Sequence, residues 1–131
     1  MKVVALDYGR ARTGVAVSDP TGTLARPAGV VERASETAGL ERLSELIERE
    51  RADVVVVGMP LTLRGERGEQ AQETERFVDA LRAVVHVPVE SFDERFTTTL
   101  AEQSGGTAPE DARAAAHLLS SYLTWSSSAP R

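Results

Sequence analysis

DVVVVG, residues Asp53–Gly58, sets four valines in a row between an acid and a glycine. A strand with one wet face alternates apolar and polar side chains. An unbroken apolar run bounded by turn residues therefore predicts a strand covered on both faces, as in a parallel sheet. The flanks supply the cover. Upstream, Leu40, Leu43, Leu46 and Ile47 recur at helical spacing behind a mixed start signal, Ser35-Glu-Thr-Ala-Gly39. Downstream, Met59–Gly68 reads as a loop on Pro60, Gly65 and Gly68. Gln70–Val84 then reads as an amphipathic helix with Phe77, Val78 and Leu81 on one face.

Working outward, Lys2–Asp7 is a short apolar run ending in an acid, and Val15–Ser18 resumes the pattern. Gly9 and Gly14 bracket a polar turn, Arg10–Thr13, so the two runs predict a hairpin. Asp19-Pro-Thr-Gly22 is a turn by composition. Leu24–Glu32 gives a third extended stretch, in which Pro27 suits an edge strand. Toward the other end come a short strand over Val87–Phe92, one or two helical turns over Thr97–Ser104, and a break at Gly105-Gly106. An alanine-rich helix over Pro109–Trp125 follows. The order β-β-β-α-β-α-β-α predicts an α/β fold, a mixed sheet with helices on its faces.

The 131 residues suit one domain, expected over 1–125, with 126–131 as a flexible tail. Without cysteine there is no disulfide scaffold and no Cys-held zinc. His86 and His117 are the two histidines, too far apart in sequence for a His-x-x-x-His pair, so any metal is held mainly by carboxylates. His117, beside Leu118-Leu119, is expected to be structural. The first apolar stretch is too short for a signal segment, and no run is long enough to span a bilayer. The expected location is the cytoplasm, with no membrane partner. A net charge of -5 and a pI near 5.1 count against a nucleic-acid binder, whose footprint is usually basic.

Function in such sheets collects at the carboxyl ends of the strands. Asp7 ends the first strand, Asp93-Glu94 follow the last, and Asp111 opens the last helix. Acids at two adjacent strand ends and a helix start can converge on one spot. Hard cations such as Mg²⁺ take oxygen ligands, and two of them about 3.5–4 Å apart can drive phosphodiester cleavage. Crowded carboxylates also predict at least one raised pKa. Each acid has a plainer reading beside this one. Asp7 can bond its own turn, Glu94 can pair with Arg95, and Asp111 can serve the helix dipole.

Four segments carry a resemblance that decides between these readings. They are ALDYGRARTGVAVSDP (Ala5–Pro20), VVVGMPLTLRGERG (Val55–Gly68), DERFTTTLAE (Asp93–Glu102) and EDARAAAHLLSSYL (Glu110–Leu123). Together, in this order and over nearly the whole chain, they resemble the YqgF/RuvX family of RNase H-like Holliday-junction resolvases, also described as pre-16S rRNA nucleases. The resemblance implies an RNase H-like fold with a five-stranded mixed sheet whose first three strands are antiparallel. It implies Asp7, Glu94 and Asp111 as catalytic and metal-holding residues, with Mg²⁺ or Mn²⁺ as cofactor. Asp93 is left open as a ligand. The substrate-binding candidates are Arg10, Arg12, Arg64, Arg67 and Arg95, with Thr97 and Thr98 from the third segment.

Two features depart from the family pattern. Gly9-Arg-Ala-Arg-Thr-Gly14 stands where the family has Gly-Thr-Lys-Arg-Ile-Gly. The segment before Asp111 is also short beside the family's, and Gln103–Pro109 contains no lysine, so the family's basic lid is expected to be reduced or absent. The leading expectation is a two-metal nuclease acting on structured RNA or branched DNA, in pre-16S rRNA end processing or junction resolution. The competing one is a non-catalytic nucleic-acid-binding ribosome-assembly module on the same fold. A sugar-kinase-like ATPase needs a second nucleotide-gripping half, for which the chain is too short. Monomer and homodimer are both compatible with the sequence.

Overall fold

A computed structural model describes residues 1–61, 64, 68–94 and 108–128. The chain runs β1 (Val3–Asp7), β2 (Arg12–Ser18), β3 (Ala25–Glu32), α1 (Thr37–Arg49), β4 (Val54–Met59), α2 (Glu69–Arg82), β5 (Val89–Asp93) and α3 (Glu110–Ser128). The element order is the one the periodicity predicts. The turns expected over Thr97–Ser104 lie outside the described residues.

The strands form one five-stranded sheet in the order β3-β2-β1-β4-β5. β1 pairs antiparallel with β2, and β2 with β3. β4 runs parallel to β1, and β5 parallel to β4. Val54, Val55, Val56 and Val57 are all buried, and they alternate between the two faces as a doubly covered strand must. One face packs Val4, Leu6, Val15, Val55 and Val57 against Leu43, Ile47, Phe77 and Leu81 of α1 and α2. The other packs Val3, Ala5, Val54, Val56 and Phe92 against Ala115, Leu118, Leu119 and Tyr122 of α3. β3 is an edge strand, as Pro27 suggests. Its pairing with β2 shifts register between Val15 and Ala16, where Gly29 has φ 146.

Three local readings are corrected. Gly14 does not bracket a turn. It lies inside β2, paired with Asp7. The ends of β1 and β5 are not adjacent, because β4 runs between them. The last helix passes its expected end at Trp125 and reaches Ser128. There Ser126 and Ser127 donate their hydroxyls to the carbonyls of Leu123 and Thr124, bonds that extend the helical turn.

The Ser18-Asp19 pair of the first motif proves to be architectural. Ser18 Oγ accepts the Val3 N–H at 2.8 Å, at the amino end of β1. The Asp19 carboxylate accepts the N–H groups of Thr23 and Leu24, each at 2.8 Å. These bonds hold its carboxyl well below the usual range. This turn sits at the end of the sheet opposite Asp7.

Candidate active site at the carboxyl end of the sheet

Strand alternation decides which way Asp7 faces. Tyr8, the next residue, stacks on Phe77 of α2, with ring centroids 4.4 Å apart and planes at 18°. With Leu6 and Tyr8 committed to the α1/α2 face, Asp7 turns to the face covered by α3. On β5, Phe92 packs toward α3, so Asp93 falls on the opposite face and Glu94 returns to the α3 side.

Glu94 must then cross β4 to reach Asp7, and Gly58 makes room. A Cβ at Gly58 would lie 2.7 Å from Glu94 Oε1, 3.0 Å from its Cγ and 3.1 Å from Leu118 Cδ2. The missing side chain is therefore the space the glutamate occupies. On the other side of Asp7, Gly14 does the same for the helix. A Cβ there would come within 1.8 Å of the Asp111 carbonyl oxygen and 3.1 Å of the Ala112 nitrogen. The first turn of α3 rests directly on the sheet beside Asp7, helped by Ala112 and Ala115, both fully buried. Sequence reading missed Gly14 and Gly58 as site-building residues. The available signal was glycine inside a strand, a mark of close approach by another group.

The carboxyls of Asp7 and Glu94 are hydrogen-bonded to each other. Burial, then the charge of Asp7, then this bond, then the charge of Asp93 push Glu94 up to about 7. Burial also raises Asp7. The bond from Glu94 offsets part of that rise, and the charge of Asp111 adds to it. Both carboxyls are thus pushed upward, the direction expected of crowded acids. Asp111 is placed differently. Its carboxylate pairs with Arg12 Nε at 3.2 Å, and both side chains reach solvent. Among the described residues, no three His, Asp or Glu side chains are grouped closely enough to hold a metal ion. The donor chemistry nonetheless fits a hard divalent cation. All three groups offer carboxylate oxygens, the donors that such a cation takes.

Among the described residues, the two first-turn arginines engage different acids. Arg10 pairs through Nε with Glu73 of α2 at 2.8 Å, on the far side of the turn from Asp111. Arg12 alone of the described candidates touches an acid of the site. Arg64 is exposed. Arg67, Arg95, Thr97 and Thr98 lie outside the described residues. His117 lies on α3, half-buried, six residues past Asp111. No described helix is long and apolar enough to cross a membrane.

A family model for RuvX, described as Holliday junction resolvase, matches residues 1–125. A Chloroflexus aggregans protein named "Putative pre-16S rRNA nuclease" is 44% identical over 101 residues, 77% of this chain and 71% of its own. The Chloroflexus aurantiacus protein of the same name is 42% identical over 101 residues, 77% of this chain and 66% of its own. Among solved structures, Thermus thermophilus RuvC in complex with a Holliday junction substrate superposes with a TM-score of 0.69. It is 18% identical, with 97% of this chain and 95% of that one covered, and it shows the fold to be that of RuvC.

Proposed function

This chain belongs to the RuvX family, and on that premise we propose that it is a metal-dependent nuclease that trims the ends of pre-16S rRNA. The observation that carries the reading is the meeting of the Asp7 and Glu94 carboxyls across Gly58, with the start of α3 seated on Gly14 beside them. Two half-buried carboxyls whose joint ionisation is disfavoured suit a divalent cation, which would offset their charge. Asp7, Glu94 and Asp111 would hold Mg²⁺ or Mn²⁺. Such an ion supplies an activated water and neutralises charge on the departing oxygen. Asp7 is fixed by its strand and Glu94 by the gap over Gly58. Tyr8 on Phe77 keeps the Asp7 side chain turned to this face.

RNA is preferred over branched DNA as substrate because the relatives sharing over 40% identity are named for it. The junction-bound neighbour is 18% identical and speaks for the fold. A second reading, a non-catalytic ribosome-assembly module, draws support from the net charge of -5 and from the engagement of Arg10 with Glu73. The test is incubation with precursor 16S rRNA ends, an RNA hairpin, single-stranded RNA and a four-way DNA junction, with Mg²⁺, Mn²⁺ or chelator. Cleavage of the precursor that chelator abolishes supports the proposal. Tight binding to the precursor without cleavage under every metal condition favours the assembly module.

A further inference from the structure

Asp111 and Arg12 form a contact that the nuclease reading does not require. The Asp111 backbone lies directly against Gly14 of β2. Its side chain, 42% exposed, is held at 3.2 Å by Arg12, the first residue of the same strand, itself 66% exposed. Gly14 is in turn paired with Asp7 of β1, so the start of α3 stands beside that acid. A carboxylate whose backbone is seated beside Asp7 thus has its charge taken by a replaceable, solvent-facing partner.

We propose that Arg12 is a positioning residue that withholds Asp111 from the Asp7–Glu94 pair until a substrate phosphodiester takes its guanidinium. The inference rests on the nuclease reading. A phosphodiester competes well for arginine, since its oxygens match the guanidinium fork. Once Arg12 turns to the phosphate, Asp111 loses its counter-charge and faces Asp7 with like charge. A divalent cation relieves that repulsion. Phosphate on Arg12 and a cation on the three acids therefore favour each other, and such coupling is reciprocal. The consequence is a chain that completes its acidic site with nucleic acid in place and holds metal weakly without it.

Mn²⁺ binding, followed by the loss of its free-ion paramagnetic signal, tests this with and without a short phosphorothioate RNA hairpin. An exposed ion pair is worth a factor of about two to five. Wild-type affinity for Mn²⁺ should rise by about that factor when the hairpin is added. In Arg12→Gln the free protein should already bind Mn²⁺ about two- to fivefold more tightly, the hairpin should bind more weakly, and it should add no further gain. Loss of a positive charge near a cation could mimic the first effect, so the comparison is repeated in Asp111→Asn. There Arg12→Gln should change Mn²⁺ affinity little. An Arg12→Gln effect that persists undiminished in Asp111→Asn, or coupling to the hairpin that survives Arg12→Gln, overturns the proposal. Mn²⁺ binding that ignores Asp7→Asn overturns the acidic site and the Arg12 proposal together. Binding that needs Asp7 but ignores Arg12 overturns the Arg12 proposal alone.

Discussion

Glu94→Gln should flatten the pH dependence of stability in metal-free protein. In the folded chain the Glu94 carboxyl titrates at about 7, against 4.5 ordinarily. The folded state therefore binds this proton more tightly than the unfolded state. The stabilising contribution is fully present below the unfolded value and is lost as pH rises through the folded one, so the penalty is complete above about 7. At 1.36 kcal/mol per pKa unit, the difference sets a ceiling of about 3.4 kcal/mol. Glu94 is only partly buried, and solvent screening leaves about 1–2 kcal/mol. Glutamine keeps the shape and one donor to Asp7 but cannot ionise. Asp7, also raised, contributes a slope in the same direction, and because the two groups interact the difference between the proteins reports the pair. Urea unfolding in chelator at about pH 5 and about pH 8 measures it. With an m-value of about 2 kcal/mol/M, wild type should lose about 0.5–1 M more midpoint than the variant over this range. Equal losses in the two proteins would refute the raised-carboxyl reasoning.

Further consequences follow from the same geometry. Gly58→Ala puts a methyl group 2.7 Å from Glu94 Oε1 and 3.1 Å from Leu118 Cδ2, so Glu94 should be driven off Asp7. Urea unfolding should show a loss of about 1–3 kcal/mol from overpacking, and the Glu94-dependent pH slope should vanish. Asp19→Ala removes the acceptor for the Thr23 and Leu24 N–H groups, so the thermal midpoint should fall while cleavage per folded molecule stays the same. Because the Asp19 carboxyl is lowered, its stabilisation is present above the ordinary carboxylate range and fades in acid. The wild-type advantage over Asp19→Ala should narrow in acid denaturation. His117→Gln should keep cleavage within a few-fold of wild type, measured on the same RNA substrate.

The sequence discloses the fold through periodicity. Val54–Val57 announce a strand covered on both faces, and the spacing of Leu40, Leu43 and Ile47 announces the α1 cover. Pro27 marks the edge correctly, because a residue without an N–H is tolerated there. Asp7 and Glu94 are legible as strand-end acids, but the gap at Gly58 that Glu94 fills is not. Strand order is a non-local property, and so the interposition of β4 between β1 and β5 is not written in any local pattern. Without β4 in view, Gly58 reads as a strand boundary instead of the gap that Glu94 fills. Gly14 next to a polar turn likewise reads as part of that turn, when its lack of a side chain seats α3. The split between Arg10 and Arg12 has the same origin. Glu73, which takes Arg10, lies sixty-three residues away in sequence.

Cleavage of precursor 16S rRNA ends in Mg²⁺ by wild type beside Asp7→Asn tests the central claim most directly. Asparagine preserves the size of the side chain and its place at the end of β1 but removes the charge that a cation needs. The account predicts metal-dependent cleavage by wild type and none above background by the variant, with RNA binding and the unfolding midpoint retained. Equal cleavage by the two folded proteins would contradict it.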